Sequence, residues 1–132
     1  MNTKTKFIGD DFKLGFDDVK IVPTKSNFES RKYIDLETEY IFPRSKHIWR
    51  GMPIIAANMD NVATFDMAKS LQIYGICTAV TKFHTAKQWI DAILSGVSLD
   101  YSFITFGIES ISSIENCFNS IKEKTGSIPK IV

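Results

Sequence analysis

From Pro53 onward the chain alternates short apolar runs with longer stretches whose apolar residues recur at helical spacing. The first cycle is Pro53 to Gly75. Ile54 to Ala57 is apolar and short, which predicts a strand buried on both faces. Asn58, Met59 and Asp60 follow at the strand's carboxyl end. Thr64 is placed to cap a helix, and Asp66 puts negative charge in its first turn, where the helix dipole favours it. Phe65, Ala68 and Leu71 share one helical face, with Met67 and Tyr74 beside it, and Gly75 stops the run.

Two more cycles follow. Ile76 to Val80 is a second β-prone run; Thr85 and Gln88 then form a capping-box pattern ahead of Trp89, Ile90, Ile93 and Leu94, with the stop at Gly96. Ser102 to Phe106 is a third strand. Ser112 and Glu115 suggest another capping box, with Ile111, Ile114, Phe118 and Ile121 on one face and the stop at Gly126. A fourth strand begins at Pro129. Upstream the pattern is weaker. Residues 1–9 read as a polar lead-in, and the mixed stretch Phe12 to Pro23 is interrupted by its proline. Thr24 to Lys32 is an exposed polar arm, Tyr33 to Phe42 alternates as a half-exposed strand, and Pro43 to Gly51 is a basic connection anchored by Trp49.

Strand starts at positions 53, 76, 102 and 129 repeat at near-constant spacing, which predicts a parallel α/β sheet. Two architectures satisfy it: a doubly wound sheet or part of a (β/α)₈ barrel. No glycine-rich phosphate loop follows any strand, which weakens the nucleotide-binding doubly wound alternative. In either fold, ligands gather at the carboxyl ends of the strands, so Asn58 to Asp60 is the first place to look.

Composition narrows the field. The 132 residues carry a net charge of +1, giving no electrostatic case for nucleic acid or an acidic membrane surface. No apolar run is long enough to span a bilayer. Cys77 and Cys117 have no metal-ligand spacing; Cys77 reads as core, and a reducing cytoplasm is the expected compartment. His47 and His84 form no metal set, and each is expected to be exposed.

The segments GFDDVKIVP, SRKYIDLETEYIF, PIIAANMD, TFDMAK and TAVTK together closely resemble the N-terminal part of the GMP reductases, within the IMP dehydrogenase/GMP reductase family. The likeness covers most of residues 12–90. It implies a partial (β/α)₈ TIM barrel: an arm with strands over 1–52, then three βα units and the start of a fourth strand over 53–132. The Asn58-bearing run and the TAV-x-K pattern favour the reductase over the sister dehydrogenase, which stays as an alternative.

The resemblance also implies a reaction, NADPH-dependent conversion of GMP to IMP with release of ammonia. In the family this passes through a covalent bond between a cysteine and the purine, and the cysteine loop binds a monovalent cation. Neither Cys77 nor Cys117 lies in that loop's sequence setting, so no catalytic residue is carried over and the chain alone is expected to be inactive. Asn58 and Met59 match positions near the purine nucleotide. Lys82 matches a lysine beside cofactor and purine, and Ser30-Arg31 matches a pair touching the NADPH phosphate from a neighbouring subunit. Read alone, Lys82 and Ser30-Arg31 are solvated surface residues, Asn58 ends a strand with a local backbone hydrogen bond, and Met59 fills core. Thr81, Phe83 and Phe106 depart from the family pattern. The family's homotetramers, or a complementing C-terminal half, are the expected partners; a non-catalytic fragment is the rival.

Overall fold

A computed structural model describes residues 15–25 and 27–129. The chain divides into two compact units, Met1–Ile34 and Asp35–Val132. In the first, a turn of 3-10 helix spans Phe16–Asp18 and another spans Arg31–Tyr33. Ser30 caps the second: its hydroxyl accepts from the Lys32 N–H at 3.3 Å. The expected lead-in over 1–9 and the fourth strand's continuation over 130–132 lie outside the described residues, as does the start of the Phe12 to Pro23 stretch.

The second unit is a four-stranded sheet in the order β1-β2-β3-β4, with three helices. β1 (Thr38–Ile41) and β2 (Ile48–Ala56) form an antiparallel hairpin. β2, β3 (Ile76–Val80) and β4 (Ser102–Ile104) run parallel. The connections are α1 (Phe65–Gln72) and α2 (Ala86–Leu94), and α3 (Ile111–Thr125) follows β4. The parallel order expected from the spacing is present.

Local signals explain where the helices begin. Thr64 accepts from the Met67 N–H at 3.2 Å, and Thr85 and Gln88 make the reciprocal capping box. The third helix starts earlier than expected. Its cap is Ser110, which accepts from Ser113, rather than Ser112. Ser113 in turn donates its hydroxyl to the Glu109 carboxylate at 3.2 Å, a side-chain tie across the start of the helix. That start carries Ile111 onto an exposed position, outside the apolar face assigned to it.

The first parallel strand also begins earlier. Ile48 to Gly51, expected as connection, pairs with β1, where the exposed Arg50 meets Glu37 at 3.0 Å. Conversely, the strand expected over Tyr33 to Phe42 shrinks to β1, because Arg31–Tyr33 is drawn into the capped turn. Trp49 is buried as the expected anchor, and its indole N–H donates to the Asp100 carbonyl at 3.1 Å. Gly51 permits β2 to pass the turn after α1. A Cβ there would lie 2.5 Å from the Gly75 carbonyl oxygen, and Gly75 itself has φ +66°.

One face of the sheet is packed by helices. Ala68, Val80, Trp89, Ala92, Val97, Leu99 and Ile121 form its buried cluster. Gln72 ties the end of α1 to the loop before β4, donating to Gly96 O and accepting from Ser98 N, both at 2.8 Å. The opposite face carries a smaller cluster around Trp49 and Cys77, with Phe42, Tyr101 and Phe103 packed on it. Here the expectation of a first strand buried on both faces fails. Ile54 is 54% exposed and Ile55 58%. Both line the cavity bordered by Tyr40, Phe42, Trp49, Cys77 and Phe103, where no described helix residue covers them.

Two substitutions check this layout by urea midpoints. Gly51→Ala is expected to destabilise the chain by about 1–3 kcal/mol, since backbone must move to admit the methyl. Ile54→Ser is expected to stay within about 0.5 kcal/mol, and a larger loss would mean that Ile54 is buried after all.

Candidate functional site

The parallel strands deliver three loops to one rim. After β2, the backbone turns tightly: Met59 N–H donates to Ala57 O at 2.8 Å, and Met59 O accepts from Val62 and Ala63, each at 2.9 Å. This turn leaves Asn58 exposed and Met59 61% exposed. The bland alternative of Met59 as core filling therefore does not hold. After β3, the Thr81 N–H donates to Ala63 O at 3.2 Å, tying the second loop to the first. After β4, the Thr105 hydroxyl donates to the Val80 carbonyl, tying the third loop to the second.

Lys82 is exposed and lies among these ties. Its amine is 5.4 Å from the centre of the Phe83 ring. A Cβ built on Gly107 would be 3.7 Å from Lys82 Cδ and 3.9 Å from Nζ, so the lysine stem lies against the backbone after β4. The loops after β2 and β3 thus present an exposed amide, an exposed thioether and an exposed cation past neighbouring strand ends. Ser30 and Arg31 belong to the other compact unit, where Arg31 is exposed in the capped turn.

The histidines are not exposed as expected. Both are partly buried against aromatic rings: His84 is 4.3 Å from Phe65, and His47 stacks 6.5 Å from Phe42. Apolar ring contact draws them in. Phe65 in turn meets Trp89 edge-on at 5.0 Å, so His84 continues an aromatic row into the helix layer. Among the described residues, no group of three or more His, Cys, Asp or Glu could hold a metal ion. No described helix is long and apolar enough to cross a membrane.

Neither thiol is primed for attack. Cys77 is 2% exposed, and burial pushes its thiol from the usual 9.0 up to about 11, against a smaller lowering effect of the neighbouring Trp49 side chain. Cys117, on α3, is also raised, by burial first and then by the negative charge of Glu109.

Residues 13–96 match the model of the IMP dehydrogenase / GMP reductase domain, more than half of the chain. The chain belongs to the IMP dehydrogenase / GMP reductase family. A GMP reductase of Klebsiella pneumoniae subsp. pneumoniae is 52% identical over 93 residues, covering 70% of this chain and 26% of that protein. One from Shewanella pealeana is 47% identical over 88 residues, covering 67% of this chain and 25% of its own length. One from Salmonella arizonae is 46% identical over 93 residues, with coverage of 70% and 26%. The chain spans about a quarter of the length of these relatives.

The rim combines bare backbone, a cation and an exposed thioether. Gly107 presents bare backbone beside a cation, so a flat ring or a phosphate can approach closely, and Met59 offers an exposed thioether to a ring face. The links from Ala63 to Thr81 and from Thr105 to Val80 were not foreseen from the residues. The first is a backbone contact with no sequence signal. The second had one, a Thr immediately past the apolar run that defines β4.

The Cys77 environment has a measurable consequence. Above pH 9.0 an unfolded thiol ionises while the buried one stays protonated until about pH 11, so the unfolded state binds fewer protons in that window. Stability is expected to fall as pH rises through it. Cys77→Val should show a shallower fall in urea midpoint over the same range; an identical slope would contradict the assigned environment.

Proposed function

We propose that this chain supplies the nucleotide-facing rim of a GMP reductase-type oxidoreductase, built as the opening part of a (β/α)₈ barrel. The reaction is reductive deamination of GMP to IMP, with NADPH as reductant and ammonia released. The observation that carries this reading is that Asn58, Met59 and Lys82 are all exposed just past the carboxyl ends of neighbouring parallel strands, in a chain about half identical to GMP reductases over residues that include them.

In this reading Asn58 offers a donor and an acceptor to the purine edge, and Met59 packs its thioether on the ring. Lys82 lies on the cofactor side of the rim, while Ser30 and Arg31 reach the phosphate of a cofactor bound by a neighbouring subunit. Bound nicotinamide supplies a hydride. Lys82 places a positive charge where negative charge develops, and its exposure leaves the amine open to ligand. The arginine fork and the serine hydroxyl suit a phosphate. The nucleophile is assigned to neither Cys77 nor Cys117, whose thiols are both held in the neutral form. The active species is a homo-oligomer working in the cytoplasm.

A second reading has one observation in its favour. A cavity of about 330 Å³ lined by Tyr40, Phe42, Trp49, Ile54, Cys77 and Phe103 opens on the face of the sheet away from the helices. Such a face fits a chain that is completed by a partner, the remaining part of a reductase.

Purified chain is expected to show no GMP-dependent oxidation of NADPH in a spectrophotometric assay, and turnover by the chain alone would refute the assignment of the nucleophile elsewhere. Mixing with the remaining three quarters of a GMP reductase is expected to give turnover that Lys82→Met lowers by about tenfold or more, in line with loss of a charge-stabilising group. Oxidation of IMP with NAD by that mixture, without activity on GMP, would favour the dehydrogenase instead.

A further inference from the structure

The backbone ladder between β3 and β4 stops at the pair Val80 and Ile104. Lys82 stands two residues further on. The carbonyl of Val80 points toward the end of β4, and the group that meets it is the Thr105 hydroxyl. A side chain therefore extends the strand pairing by one link into the rim. On the other side, Thr81 is fixed by its N–H to Ala63 O, so the residue before Lys82 is held from one neighbouring loop and the residue before that from the other. Thr81 is itself buried.

The consequence reaches Lys82 through Gly107. The lysine stem runs within van der Waals reach of where a Cβ at Gly107 would stand, and Gly107 follows Thr105 by two residues. The relative placement of stem and glycine is thus set by how the ends of β3 and β4 are held together. A lysine amine on a flexible four-carbon stem has no inherent direction, so fixing the stem decides where its charge resides.

We infer that Thr105 is a positioning residue. By bonding Val80, it keeps the two loops in register and holds Lys82 across Gly107, ready for an anionic group of a nucleotide ligand. This rests on the assignment of Lys82 to the cofactor side of the rim. Thr105 does not touch the ligand itself.

The test uses the full chain with labelled lysine, following the ε-methylene signal of Lys82 by NMR. Thr105→Val removes the hydroxyl at nearly constant shape, and Thr105→Ser keeps it. With Thr105→Val, the Lys82 signal is expected to move toward that of the solvent-exposed Lys124, with Lys124 itself unchanged, and NADPH affinity to fall about fivefold, as for one lost hydrogen bond. Thr105→Ser is expected to retain the wild-type signal. Gly107→Leu puts a bulky side chain where the stem lies and is expected to displace the same signal without removing the Thr105 bond. An unmoved Lys82 signal in Thr105→Val, an equal shift in Thr105→Ser, or a uniform shift of all lysines would overturn the positioning role. A Lys82 signal in the unmutated chain that ignores NADPH would instead refute the cofactor assignment.

Discussion

Among the described residues, β3 alone has a parallel partner on each side, β2 through Met52, Ile55 and Ala56, and β4 through Ser102 to Ile104. Parallel pairing constrains direction: all three carboxyl ends emerge together, and each chain return must cross the sheet as a helix. Those returns bury Trp89, Ile121 and Val80 in a shared layer. The helix layer and the rim therefore both depend on the same ladder. Loss of β3 from the sheet would separate the loops that carry Met59, Lys82 and Gly107 as surely as it would open the core.

The strand ends would still be loosely related if nothing linked them beyond the ladder. Two hydrogen bonds do so, one from the Thr81 N–H and one from the Thr105 hydroxyl. The opposite end of the sheet is clipped in a similar way, by Trp49 to Asp100 O and by Tyr101, whose hydroxyl donates to Arg50 O at 3.2 Å. The sheet is thus closed at both ends while much of one face stays open around Ile54 and Ile55. Rigidity at the strand ends allows short side chains to act at defined places, which is what a binding rim needs.

The helices were legible because their signals are local. Thr64, Thr85, Gln88, Gly96 and Gly126 lie next to the backbone groups they satisfy, and the chemistry of a cap needs no distant partner. The strand edges were not. Trp49, Arg50 and Gly51 look like a connector because their roles come from elsewhere in the chain: Asp100 for the indole, Glu37 for the guanidinium, Gly75 for the glycine. Exposure of Ile54 was equally hidden, since an apolar run records what a side chain can bury and not what covers it. At the rim, the identities of Asn58, Met59 and Lys82 were visible, but the ties that bring their loops together were not. Backbone contacts such as Ala63 to Thr81 leave no mark on residue choice.

The central claim is the direction and order of the strand pairing, and through-space NMR contacts between backbone protons of a uniformly labelled chain test it most directly. Contacts linking Ala56 with Thr78, and both Thr78 with Ser102 and Val80 with Ile104 in ascending order, are expected. Contacts that run in opposite order along either pair, or none between β2 and β3, would contradict the account.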